Sequence, residues 1–149
     1  MELLRKDPSL IAKAVSLLPD RALVEAELMG RSLHSYMKGI WPIIEPGRTF
    51  ADNWHIGAIC EVLEAVTKFQ LRCVVINVPP RSTKSIGVCV AWPTWVWTQP
   101  RITDEEAAQR KVEPQLGAAA RFLCTSHDGD LATRDSVRSR RVIDSDWYQ

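Results

Sequence analysis

Apolar residues recur at three- and four-residue steps over residues 10–18 and again over 22–37, where Leu23, Ala26, Met29, Leu33 and Met37 form one stripe. Pro19 and Asp20 separate the two runs, so the pattern predicts two helices. Residues 39–52 contain Pro42, Pro46 and Gly47 with no sustained period, and predict an ordered loop. Asn53 can cap a following helix whose apolar face is Ile56, Ile59, Cys60, Leu63 and Val66 and which ends near Lys68. Arg72-Cys73-Val74-Val75-Ile76-Asn77-Val78 is a β-branched run that predicts a strand buried on both faces, and it stops at Pro79-Pro80. Residues 84–97 predict a helix at least to Trp92, because Pro93 disfavours its continuation. Residues 98–117 are polar, with Pro100, Pro114 and a Glu/Ala-rich piece at 104–111 that could form a surface helix. Residues 121–126 predict a second strand and 130–143 a last helix with Asp130 as its cap.

This alternation predicts the α/β class: an incomplete parallel sheet flanked by helices, with right-handed crossovers, preceded by an N-terminal helical segment. No internal repeat is visible. The chain has 149 residues, 46% of them hydrophobic and 25% charged, enough for one buried core. Its formal net charge of +1 gives no global footprint for nucleic acid, so any DNA affinity has to come from local patches. Cys60, Cys73, Cys89 and Cys124 form no C-x-x-C pair and each lies in an apolar stretch, which predicts reduced core thiols in a cytosolic protein. The N-terminus lacks the pattern of a signal peptide. The most hydrophobic run, 86–97, is too short to cross a bilayer and carries Pro93, so a core role is expected and no membrane contact.

The candidate chemistry lies in Asn77-Val78-Pro79-Pro80-Arg81-Ser82-Thr83-Lys84-Ser85, between the first predicted strand and a helix. A phosphate-binding loop occupies such a place: main-chain N–H groups at a helix start cradle phosphates, a lysine reaches the β- and γ-phosphates, and a hydroxyl holds Mg²⁺. Lys84 and Ser85 match the last two roles. Val78 and Thr83 stand where the general G-x-x-x-x-G-K-[ST] pattern has glycines. A β-branched Thr83 at positive φ would cost roughly 1–3 kcal/mol, and a negative φ there would reshape the loop. Spacing alone is compatible with two structures, a phosphate loop or an ordinary turn with Lys84 solvated.

Several further blocks resemble one family. Trp54-His55-Ile56 with Ala58-Ile59-Cys60-Glu61, Leu63-Glu64-Ala65-Val66, the loop itself, and Trp92-Pro93 with Trp95-Val96-Trp97 follow one another. Asp130-Leu131-Ala132-Thr133-Arg134-Asp135-Ser136 and Trp147-Tyr148-Gln149 complete the series. In this order they are similar to the opening of the ATPase domain of phage terminase large subunits. The resemblance covers residues 50–149 apart from an insertion at about 102–117, and leaves residues 1–49 as a helical segment and loop. It implies an ATP-driven motor that moves double-stranded viral DNA into a procapsid in the bacterial cytoplasm. Its implied partners are the small terminase subunit, the portal protein and further copies in a ring. ATP and Mg²⁺ are the implied cofactors. Arg81 and Lys84 would be the catalytic residues and Ser85 the metal ligand. Trp54 and His55, with Pro80, Arg81, Ser82, Thr83, Lys84 and Ser85, would hold the nucleotide.

An ATPase of this kind also needs an acid at the end of a second hydrophobic strand to hold Mg²⁺. Asp104-Glu105-Glu106 and Asp144 do not follow such a strand, and the family's nuclease domain has no room here. The expectation is therefore a segment truncated before these parts, with a degenerate prophage remnant acting only as a binding module as the alternative. An unrelated kinase or helicase segment with a phosphate loop is a third. Arg134, Arg138, Arg140 and Arg141 are diluted by Asp135, Asp144 and Asp146 and predict a solvated helix face more than a DNA site. Trp92, Trp95 and Trp97 predict core positions, and His34 and His127 surface ones, without zinc-ligand spacing.

Overall fold

The computed structural model describes residues 21–100, 105, 108 and 117–149. The expected helix at 10–18 lies outside them, as does most of the 102–117 insertion, in which Glu105 and Ala108 are helical and Gly117 begins a 3₁₀ turn. Five α-helices are described: α1 (Arg21–Arg31), α2 (Leu33–Ile44), α3 (Trp54–Thr67), α4 (Trp92–Thr98) and α5 (Gly129–Ile143). A π-helical stretch, Ile86–Ala91, runs directly into α4, and a 3₁₀ turn covers Gly117–Ala119.

The α/β expectation is overturned. Among the described residues there is no strand and no sheet, and the fold is helical. Residues 73–79 and 120–126 join no ladder among the described residues, and Val75 and Leu123 are 95% and 91% exposed. β-Branched side chains favour extended backbone locally, but a strand also needs a neighbour to take its N–H and C=O groups. Cys73 and Cys124, on these two segments, are consequently exposed rather than in the core, whereas Cys60 is buried and Cys89 half-buried.

The expected single helix over 22–37 is two. Ser32 interrupts it with extended backbone and accepts from the Ser35 N–H, capping α2. The Leu33 N–H at the α2 start donates to Glu64 Oε1 of α3 at 2.8 Å, joining the two helices where an orphan donor would otherwise be left. Helix α2 also extends through Pro42, where a loop was expected. Its buried face, Leu33, Tyr36, Met37, Ile40, Trp41 and Ile44, holds helical spacing to the end, and this packing outweighs the missing donor of one proline. Asn53 caps α3 as expected. The cap of α5 is Asp128, not Asp130, with Oδ1 accepting from the Asp130 N–H at 2.8 Å.

The core is one cluster made by the inner faces of α2, α3, the π-helical stretch and α4, closed by Val142 from α5. Pro93 explains the π-helical turns before it. A regular helix would direct a residue-93 N–H at the Cys89 carbonyl, and the proline ring would clash there; the wider turn relieves that contact. Trp92 N–H accordingly bonds Gly87 O, five residues back, and Ser139 Oγ of α5 lies 3.5 Å from the freed Cys89 carbonyl. Trp95 is buried, with Nε1 donating to Gly30 O at 2.9 Å, while Trp92 and Trp97 are half-buried around Phe122. All three serve packing, as the sequence predicted.

Candidate functional site

The loop after residue 78 has an unusual backbone. Arg81 has φ 65° and Thr83 φ 61°, both in the left-handed region that non-glycine residues rarely enter. Thr83 thus takes the positive φ that glycine provides in the general motif, and its Oγ1 donates to the Ser82 carbonyl. Left-handed residues set next to a helix start gather main-chain N–H groups on the concave side of a turn. The first helical bond runs from Gly87 N–H to Thr83 O at 2.9 Å, which leaves the N–H groups of Lys84, Ser85 and Ile86 without helical partners.

This loop forms one wall of a cleft of about 590 Å³. The opposite wall comes from the end of α2 and from α5: Trp41, Glu45 and Arg48 on one side, Arg134 and Arg138 on the other. Arg48, Arg81, Lys84, Arg134 and Arg138 line it against a single carboxylate among the described residues, Glu45. The cleft is therefore strongly cationic in a chain whose net charge is +1. Ser82 Oγ, also in its wall, is shielded from solvent and has no hydrogen-bond partner among the described residues.

Arg138 makes an ion pair with Glu45 and stands 3.6 Å from Asp135, which in turn binds Arg134 at 3.0 Å. These side chains are 18%, 17% and 13% exposed for Arg138, Glu45 and Asp135, so solvent screens their pairing less than that of ordinary surface bridges. Arg48, 79% exposed, lies 3.9 Å from Glu45. Trp41 Nε1 donates to Arg48 O at 2.8 Å and fixes the loop that carries this arginine.

Of the residues expected at the site, Pro80, Arg81, Ser82, Thr83, Lys84 and Ser85 converge on the cleft, whereas Trp54 and His55 do not line it. Trp54 is 82% exposed at the start of α3, and the shielded His55 Nε2 has no partner among the described residues. Arg134 and Arg138 were missed as site residues and expected on a solvated face. Their spacing of four, which puts both on one side of a helix, was the available signal; that this side meets the loop is a tertiary fact. His34 is half-buried rather than at the surface, and with Lys38 it holds Asp52, at 2.8 and 2.6 Å.

The cleft suits a polyanion. Cations of fixed charge, free N–H groups at a helix start and an unsatisfied hydroxyl are all complementary to phosphate oxygens. It suits a metal ion less well. Mg²⁺ takes carboxylates together with substrate phosphates, and Glu45 is engaged by Arg138, so the side-chain oxygens that the loop brings to the cleft are the hydroxyls of Ser82, Thr83 and Ser85. Among the described residues no cluster of three or more His, Cys, Asp or Glu side chains could hold a metal, and no helix is long and apolar enough to cross a membrane. No family model matches this chain, and no curated protein or solved structure matches it.

Proposed function

We propose that this chain binds ATP through its polyphosphate, as the nucleotide-binding segment of a viral DNA-packaging motor of the terminase large-subunit kind. The observation that carries the binding part is the backbone of the loop. Arg81 and Thr83 are held in left-handed conformations directly before Lys84 and Ser85, facing Arg134 and Arg138 across a cationic cleft. Strain of this sort persists where the surroundings impose it, and it clusters at ligand sites. The motor part rests on the sequence blocks that accompany the loop, and double-stranded DNA, the small subunit, the portal protein and a ring of copies belong to that proposal.

In this reading Lys84 and Arg81 neutralise phosphate charge, the N–H groups of Lys84 and Ser85 donate to phosphate oxygens, and Arg134 closes the cleft from α5. Mg²⁺ would enter with the nucleotide and neutralise phosphate charge beside the Ser85 hydroxyl. Binding is favoured over turnover by the chain alone, because the one described carboxylate lining the cleft, Glu45, has guanidinium partners in both Arg138 and Arg48 and is not free to orient an attacking water. Titration with a fluorescent ATP analogue and Mg²⁺ tests the proposal. Saturable binding that Lys84→Ala weakens at least about tenfold is expected for the loss of a charge-assisted phosphate contact. No binding, or binding that Lys84→Ala leaves unchanged, overturns it.

A further inference from the structure

The one described carboxylate in the cleft pairs with Arg138, which lines the cleft from α5. Glu45 is the residue that ends α2, with its own main-chain N–H bonded to Trp41 O, so its side chain starts from a fixed point. Arg138 reaches it from α5, 93 positions away in sequence. Both side chains are about four-fifths buried and both line the cleft that contains Lys84 and Ser85. Arg48 approaches the same carboxylate from the loop beyond it. A carboxylate engaged by two guanidinium groups presents the charge and planar oxygens that phosphate would present to them.

We propose that Glu45 is a resident anion that occupies Arg138 while the cleft is empty of ligand, and that polyphosphate binding transfers Arg138 from Glu45 to the ligand. The proposal rests on the cleft being a polyphosphate site. Two features support exchange rather than a permanent structural pair. Asp135, 3.6 Å from Arg138 and on the same helix, remains as its partner after the transfer, so the guanidinium is not left uncompensated at any stage. Glu45 in turn keeps Arg48 within 3.9 Å, so it too stays paired. Each bond that Arg138 makes to phosphate is thus offset by a bond it gives up to Glu45, which lowers affinity and makes the ligand's charge decisive. A monophosphate recovers little for the exchange; a tri- or tetraanion can hold Lys84 and Arg138 together.

The test is a double-mutant cycle read by isothermal titration with ATP and with inorganic tripolyphosphate, on the full chain. Glu45→Gln keeps the shape and one acceptor but removes the competing charge, and should tighten both ligands about tenfold. Arg138→Gln should weaken both by a similar factor. The decisive comparison is Glu45→Gln in the Arg138→Gln background, where the tightening should vanish, because a Glu45 acting only as a diffuse negative charge would tighten binding there equally. Arg138→Lys, which keeps the charge and loses the forked geometry, substitutes if circular dichroism shows Arg138→Gln to be unfolded; the gain from Glu45→Gln should then shrink but persist. Unchanged affinity in Glu45→Gln, or equal tightening with and without Arg138, overturns the exchange while leaving the site intact, provided Lys84→Ala still weakens binding. Loss of all binding, in every variant and insensitive to Lys84, overturns the site itself.

Discussion

Thr83 offers the sharpest check on the loop. Its φ of 61° places a β-branched residue where the Cβ meets its own following carbonyl, a cost of about 1–2 kcal/mol. Thr83→Gly removes that cost but adds backbone freedom in the unfolded chain, about 0.5–1 kcal/mol. Thr83→Ala retains the Cβ. Both replacements lose the Oγ1 bond to the Ser82 carbonyl, worth about 0.5–1.5 kcal/mol, and the γ-methyl group. These shared losses cancel in the difference between the two variants. The glycine variant should therefore be more stable than the alanine variant by about 0.5–1 kcal/mol, reversing the usual preference for alanine near a helix start. Urea denaturation followed by circular dichroism measures it as a shift in midpoint at unchanged slope. If Thr83→Ala proved equal to or more stable than Thr83→Gly, the residue would not be left-handed in solution, and the phosphate-loop geometry would fall with it.

Val75→Ser, at a 95% exposed position, should change stability by less than about 0.5 kcal/mol in denaturant titration, whereas Ile40→Ala in the core should cost about 2–5 kcal/mol. A large effect at Val75 would mean that this segment is buried after all. Glu64→Ala should cost about 1–2 kcal/mol by leaving the Leu33 N–H unpaired at the α2 start, and an unchanged melting curve would count against that junction. Asp52 is held below its ordinary carboxylate value of 3.8 by hydrogen bonds first from Lys38 and then from His34. A carboxyl lowered in the folded state stabilises above its unfolded value, so the advantage over Asp52→Asn should vanish as pH falls through the acidic range below about 4. An advantage that survives at the lowest pH would refute the pairing. Burial pushes the Cys60 thiol up to about 12, with nearby Glu64 adding to it, so a thiol reagent at neutral pH should label exposed Cys73 and Cys124 first and Cys60 only on unfolding.

What the sequence disclosed was local, and what it concealed depended on pairing. The stripe through Ile56, Cys60 and Leu63 and the cap at Asn53 are short-range features, and they correctly indicated α3. The run from Cys73 to Val78 is short-range too, but it encodes only a preference for extended backbone. Whether such a run becomes a strand is decided by what lies beside it, and Val75 lies beside solvent. The candidate site divides in the same way. Lys84 and Ser85 could be found from spacing because the loop is contiguous, and the positive φ of Thr83 could be posed as a question but not answered. Arg138 was invisible as a site residue because it is 93 positions from Glu45, and its neighbours Asp135 and Asp144 diluted its charge on paper. In the fold that dilution is selective. Asp135 lies within 3.0–3.6 Å of Arg134 and Arg138, both of which line the cleft, whereas Asp144 only ends the helix. A charge census along α5 therefore averages away the property that matters, which is that two guanidinium groups sharing Asp135 line the same cleft as Lys84.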